Sequence, residues 1–268
     1  MDTVHGLDIS HFNPSFLEKS IKDRLDIIFL NTISDYCQYL AINPGEAAEF
    51  YNSLYITYSE FFRNPLTYAM LEQLVLPRLI EQRENAGTGE IRVWSAACAK
   101  GQEGYSIAIL LDDLISSGKT PVSYRIFATD RSEDGLAYGR EGMYDSMAIQ
   151  NVRMKQINTY FESYNHTWSI SHKLKERIEF SSYDLLDEHS VCPPGSIFGD
   201  FDLIFCCNLL FYYQPDSQQF ILEKISKTLT EGGYLASGEI ERAIIEKSGL
   251  FTEVCSPSAI YRKRTLRG

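Results

Sequence analysis

The stretch IRVWSAACAKGQEGYSIA, residues 91–108, decides the fold. Residues 91–98 form a short β-rich run, a loop with Gly101 and Gly104 follows, and an apolar helical run extends from Tyr105 to Leu114. Strand, glycine turn and helix together open a βαβ unit. Glycines let backbone approach a ligand closely, and a helix start offers free N–H groups. The turn is neither G-x-G-x-x-G nor G-x-x-x-x-G-K-[ST], so it carries no dinucleotide fingerprint and no phosphate-cradling loop.

Working outward, YRIFATD (124–130) reads as a second strand that ends in an acid, and Ser132 after it reads as a helix N-cap. RIEFSSYDLL (177–186) and FDLIFCCNLLFYY (201–213) repeat the strand-then-loop pattern. PDSQQFILEKISKTL (215–229) reads as a helix, and GGYLASGEI (232–240) as a glycine turn opening a strand. Strands alternating with helices imply a parallel sheet covered on both faces. Residues 160–176 break this rhythm: Trp168, Ile170, His172 and Leu174 alternate, as in a small antiparallel excursion. Before the sheet, residues 14–30 read as an amphipathic helix, with Phe16, Leu17, Ile21, Leu25, Ile28 and Phe29 at helical spacing. Residues 32–56 continue as short helices broken near Asn43-Pro44-Gly45. The expected organisation is a helical unit over 1–75 and an α/β domain over 76–268 with an insertion at about 160–182.

The chain has 268 residues, with 25 Lys and Arg against 36 Asp and Glu, a net charge of −11. Bulk nucleic-acid binding needs clustered cations, so that class is not expected. None of the six cysteines forms a C-x-x-C pair, so a zinc ribbon is not expected and no metal is assigned. Buried reduced thiols suit a cytoplasmic setting. The start MDTVHGLDIS has no signal-peptide pattern, and no apolar stretch approaches the roughly 18 residues of a membrane helix.

In a doubly wound sheet, ligands sit at the carboxyl ends of the strands. Asp130 stands there, where an acid takes ribose hydroxyls, and Asp184 stands where it meets an adenine amino group. The Asn208–Tyr213 segment ends a later strand. Together these describe an adenosine pocket with no call for phosphate, which favours S-adenosylmethionine over NAD or ATP. Each strand-end Asp also reads as a helix cap. Tyr212 and Tyr213 also read as core aromatics, Arg63 as an ion-pairing arginine, and Glu103 as an acid that favours a helix start.

TYSEFFRNP (57–65), IRVWSAACAKGQEGYSIA and FDLIFCCNLLFYY resemble the N-x-T-x-F-F-R-[DE]-P, I-R-V-W-S-A-[GA]-C-S-T-G-E-E-P-Y-S-[IL]-A and F-D-[LV]-I-F-C-R-N-V-L-I-Y-F segments of the chemotaxis receptor glutamate methyltransferases, the CheR family. The resemblance covers nearly the whole chain. It implies an N-terminal helical domain, a Rossmann-like methyltransferase domain and a small inserted antiparallel β-subdomain. It implies a cytoplasmic enzyme, expected as a monomer. Such an enzyme moves a methyl group from S-adenosylmethionine to glutamates on the helical cytoplasmic part of a chemoreceptor, leaving S-adenosylhomocysteine.

By position, the resemblance assigns Arg63 and Tyr212 to catalysis. It assigns Thr57, Ser59, Arg63, Glu103, Asp130, Asp184, Leu185, Cys207 and Asn208 to the methyl donor. The chain departs from the family at Thr57 (family Asn), Ser59 (family Thr), Gln102 (Glu), Gly104 (Pro) and Cys207 (Arg). Gly238-Glu239-Ile240-Glu241 stands for G-H-S-E. These departures motivate a second reading, a signalling module that binds the donor or its demethylated product without turnover. The first helix offers Lys19, Lys22 and Arg24 beside Glu18 and Asp23, a weaker basic face than the family's.

Overall fold

In the computed structural model, residues 1–87, 89–117, 122–196 and 198–264 are described; Thr88 of the glycine turn at 87–89 lies outside them. Seven strands form one sheet: β1 (Glu90–Ala96), β2 (Ser123–Asp130), β6 (Ile178–Ser182), β7 (Phe201–Cys206), β8 (Leu229–Ser237), β9 (Phe251–Glu253) and β10 (Ile260–Lys263). Their order is β6-β2-β1-β7-β8-β10-β9. The first five strands in that order pair in parallel, and β10 pairs antiparallel with both β8 and β9. This is the doubly wound α/β class expected from the alternation.

Side-chain alternation on β1 sends Ile91 and Val93 to one face and Trp94 and Ala96 to the other. The first face packs on Leu71, Val75, Leu76 and Leu79 and on the helix Gln102–Ser117. The second packs on the helices Pro14–Ile28, Ile33–Ile42 and Pro44–Ser53 and on the helix Pro215–Thr228. Both faces being covered explains why every residue of β7 is buried.

Four boundaries differ from expectation. The break expected at residue 75 falls inside a continuous helical run, Pro65–Met70, a π turn Leu71–Val75 and Leu76–Ala86. Pro77, two residues past the π turn, has no N–H to give the preceding turn. That run packs on the sheet, so residues from Phe61 onward share the sheet's core. The small antiparallel sheet is β3 (Met143–Asp145), β5 (Thr167–Ile170) and β4 (Phe161–Tyr164), in that order. It recruits β3 from before the expected insertion, whereas β6, inside the expected range, is the edge strand of the main sheet. The β4–β5 hairpin turns on Asn165 and His166, both at positive φ, so no glycine is needed. Finally, Gly232 and Gly233 lie within β8, where the β7–β8 register shifts, rather than before it. The helix expected at 14–30 ends at Ile28, with Phe29 as a left-handed cap. Among the described residues no helix is long and apolar enough to cross a membrane.

The N-terminal helices are tied together by charge. Arg24 meets Glu46 through two hydrogen bonds, 2.9 and 2.6 Å, and Tyr36 donates to the same carboxylate at 2.8 Å. The pair is largely buried, with side chains 15% and 9% exposed. Glu46→Ala strands the guanidinium, so a loss of about 3 kcal/mol is expected, read as a lowered midpoint in urea unfolding.

Candidate active site

β1 ends at Ala96, and the chain must turn sharply to start the helix at Gln102. Ala97, Ala99 and Gly101 all take positive φ to do so. A Cβ on Gly101 would meet the Phe180 ring at 3.0 Å and Gly139 Cα at 3.1 Å, so the turn requires glycine there. Strain at two alanines marks a loop held in place by its surroundings. The Ala99 N–H donates to Asp130 Oδ2 at 2.8 Å, and Ser132 N–H donates to Oδ1 at 2.9 Å. Burial pushes the Asp130 carboxyl up, and these N–H groups oppose the shift. Ser132 also caps the next helix, accepting from Gly135 N–H, as expected.

A cleft of about 820 Å³ opens at this end of the sheet. Its wall includes Arg63, Asp130, Asp184, Leu185, Cys207, Asn208 and Tyr212. A second lobe of about 450 Å³ shares Arg63, Cys207 and Asn208 with the first and adds Ser59 and Glu103. Nine of the ten residues singled out from sequence therefore meet around one continuous opening. Thr57 lines neither lobe.

Glu103 lies in the first turn of the helix Gln102–Ser117 and accepts from Ser95 Oγ at 2.6 Å. Burial raises its carboxyl to about 7, helped by the charge on Glu241; Ser95, Cys207 and Arg63 oppose the rise. Cys207 is held as a neutral thiol by burial and by the charges of Glu103 and Glu241. Arg63 is exposed, with its guanidinium 5.0 Å from the Tyr58 ring centre. Tyr212 is half-buried; burial raises its phenol, and the charge of Arg63 opposes that. Its ring packs on Phe16 at 4.7 Å, and its carbonyl accepts from Asn13 N–H at 2.8 Å.

Asp184 is not left free to face a ligand. Arg131 pairs with its carboxylate at 3.1 Å, and Leu186 N–H donates to it at 2.9 Å. Arg131 also donates to the hydroxyls of Tyr51 and Tyr55 and lies 4.3 Å from the Tyr55 ring centre. The sequence reading missed Arg131, although it directly follows Asp130. It also missed Phe12, Tyr55 and Tyr183 on the cleft wall, for which nothing in the local pattern gave a signal. Glu241 was quoted only as part of a departure, yet its carboxylate holds the Asn208–Leu210 backbone.

A strand-end acid held by two N–H groups, a strained turn and a second acid in the helix that follows it meet in one cleft at the carboxyl ends of a doubly wound sheet, where such folds bind their ligands. Residues 57–260 match the family model described as CheR methyltransferase, SAM binding domain, so the chain belongs to the CheR methyltransferase family and its cofactor is S-adenosylmethionine. It is 32% identical over 208 residues to chemotaxis protein methyltransferase 1 of Pseudomonas aeruginosa, covering 76% of this chain and 73% of that one. It is 34% identical over 208 residues to chemotaxis protein methyltransferase Cher2 of Pseudomonas putida, covering 76% and 72%. Among solved structures it is similar to the N-methyltransferase NodS of Bradyrhizobium japonicum with S-adenosyl-L-homocysteine, at 16% identity and a TM-score of 0.36, covering 73% of this chain and 91% of that one.

The raised Glu103 carboxyl has a pH signature. Its folded value of about 7 lies above the ordinary carboxylate value of 4.5, so the folded state binds the extra proton. Its contribution is fully present below the unfolded value and is lost as pH rises through 7, by about 3 kcal/mol at most. Glu103→Gln is therefore expected to melt above the wild type at pH 8 and level with it near pH 4, in thermal scans of the ligand-free protein.

Proposed function

We propose that this chain is a protein-glutamate O-methyltransferase acting on glutamates in the helical cytoplasmic region of a chemoreceptor-like protein. One observation carries the reading. An exposed guanidinium, Arg63, lines both lobes of the cleft, sharing one with the phenol of Tyr212 and the other with the half-buried acid Glu103. The names of the Pseudomonas relatives, both chemotaxis protein methyltransferases, support the choice of acceptor.

The residues present fit the donor. Asp130 is fixed by two N–H bonds and keeps lone pairs for a ribose diol. Leu185, in the same wall, offers an apolar contact to the base, with Asp184 and its partner Arg131 beside it. Glu103, half-buried and in no ion pair among the described residues, suits an ammonium. Ser59, Cys207 and Asn208 complete that lobe; Cys207 contributes size and no charge. Thr57 stays in the proposal only as a neighbour of the wall.

When bound, S-adenosylmethionine supplies an electrophilic methyl group on a sulfonium. The acceptor carboxylate is ionised at neutral pH, so no side chain has to remove a proton. Arg63 can pair with a carboxylate through its planar fork. The Tyr212 hydroxyl, in the same cleft wall, can donate to one oxygen of the acceptor and leave the other aimed at the methyl carbon. An anion and a cation become two neutral products, so a cleft that replaces water with fixed dipoles favours the step. Alignment of the reacting atoms supplies the rest of the acceleration, about 7–11 kcal/mol for good positioning.

With radiolabelled donor and a receptor cytoplasmic fragment, the label should appear in the fragment and leave as methanol in alkali. Label that survives alkali overturns the ester chemistry. Absence of transfer, with donor still bound, favours the non-catalytic signalling module instead. Arg63→Ala should abolish transfer. Tyr212→Phe should lower kcat about 10- to 100-fold, the worth of one hydrogen bond to a charged group, in a steady-state assay.

A further inference from the structure

Glu241 ends the short turn Glu239–Glu241 after β8, and its side chain is fully buried. Five donors converge on its two oxygens. Oε2 accepts from Asn208 N–H at 2.8 Å, Gly238 N–H at 2.8 Å and Ser237 Oγ at 2.9 Å. Oε1 accepts from Leu209 and Leu210 N–H, both at 2.7 Å. Three consecutive N–H groups thus point into one carboxylate, an anion nest filled by the protein itself. Burial pushes this carboxyl up, and the N–H and hydroxyl donors hold it back.

The nest shapes the loop that follows β7. Asn208 sits at φ +58, a strained region for a residue with a side chain. Such a conformation persists only where the surroundings over-determine it. Without Glu241, the N–H groups of Asn208, Leu209 and Leu210 would lose their acceptor. The fit is close on the other side as well: a Cβ on Gly238 would lie 2.8 Å from Glu241 Oε2 and 3.1 Å from Asn208 N. The loop so held presents Asn208 and Tyr212 to the cleft.

We propose that Glu241 is a positioning residue for methyl transfer, setting through the Asn208–Leu210 backbone where Asn208 and Tyr212 stand in the cleft. This rests on the methyltransferase reading above. Glu241 touches neither reactant in this role. It converts the end of β8 into a template for the loop after β7, so the two central strands carry one working surface.

Glu241→Gln is the direct test. It replaces one acceptor oxygen with an NH2 donor, which then faces at least two other donors. Misplacement of about 1 Å can cost on the order of 100-fold in rate. That loss is expected in kcat, with the KM for the receptor fragment nearly unchanged and S-adenosylhomocysteine affinity falling far less than kcat. Amide exchange at residues 208–210 should accelerate. Gly238→Ala, which crowds the carboxylate without removing it, should give the same kcat loss, and carries the test if Glu241→Gln does not fold. Ile221→Ala, in the buried core of the helix Pro215–Thr228, should lower the melting temperature and keep wild-type kcat.

Wild-type kcat in both Glu241→Gln and Gly238→Ala, or loop amides exchanging at the wild-type rate in both, overturns the proposal. Should the wild type transfer no methyl group, the functional reading fails separately. The positioning claim then stands or falls on amide exchange and on S-adenosylhomocysteine titration, which need no acceptor.

Discussion

A carboxylate removed from water must find donors or a cation to replace its solvent, or it takes up a proton. Three carboxylates stand around one cleft here, Glu241 fully buried and Asp130 and Glu103 partly so, and in each case desolvation is opposed chiefly by hydrogen-bond donors. That constraint dictates the local backbone. The Ala97–Gly101 turn takes positive φ at three residues and aims the Ala99 N–H at Asp130. The loop after β7 takes positive φ at Asn208 and aims three N–H groups at Glu241. The least satisfied of the three is Glu103, which has Ser95 and Cys207 as side-chain partners and titrates near neutrality. A site that concentrates negative potential while leaving one acid short of donors is built for a cationic ligand. A sulfonium donor that also carries an ammonium answers that description.

The N-terminal helices complete the cleft rather than merely preceding it. Phe12 stacks on Tyr213 at 5.2 Å and pairs with it in an isolated antiparallel bridge. Tyr51 and Tyr55 take up the guanidinium of Arg131, which also holds Asp184. Arg131, next to Asp130, is thereby bonded both to the helical segment and to Asp184 beyond the end of β6. Loss of any one partner leaves a half-buried arginine under-satisfied, so the contact favours one placement of the helices over the cleft.

The alternation of strands and helices was legible because both sheet faces are covered, which turns β1, β2 and β7 into nearly continuous apolar runs. Asp130 was legible because a strand end is a place that local pattern locates well, whereas Glu103 was singled out by the resemblance. What could not be read depends on contacts between distant segments. The N-terminal boundary was not legible because the helical run crosses residue 75 through a π turn and packs on the sheet. The insertion failed at both ends because β3 pairs with a strand more than 20 residues later in the chain, while β6 pairs with β2. Arg131 showed no signal of its own, since its partners Tyr51 and Tyr55 lie about 80 residues away. Asp184 was placed correctly at the cleft, but its carboxylate was expected to be free, and only the fold reveals the arginine that takes it.

The surface beside Tyr212 bears on how an acceptor arrives. The helix Pro14–Ile28 begins there, with Phe16 on the Tyr212 ring. Of its cations, Lys22 is paired with Glu18 at 2.7 Å and Arg24 is turned inward to Glu46 at 2.6 Å. Lys19 remains, against Asp23 and Asp26 on the exposed side. An acidic receptor helix approaching a chain of net charge −11 meets no long-range attraction from this element. Association then runs at the slower rate of docking without steering, and salt, by screening like charges, raises that rate rather than lowering it. Recognition in such an encounter comes from short-range fit around Arg63 and Tyr212. On the proposed function, the loop held by Glu241 then bears on which acceptor side chain fits there as well as on how it is aligned.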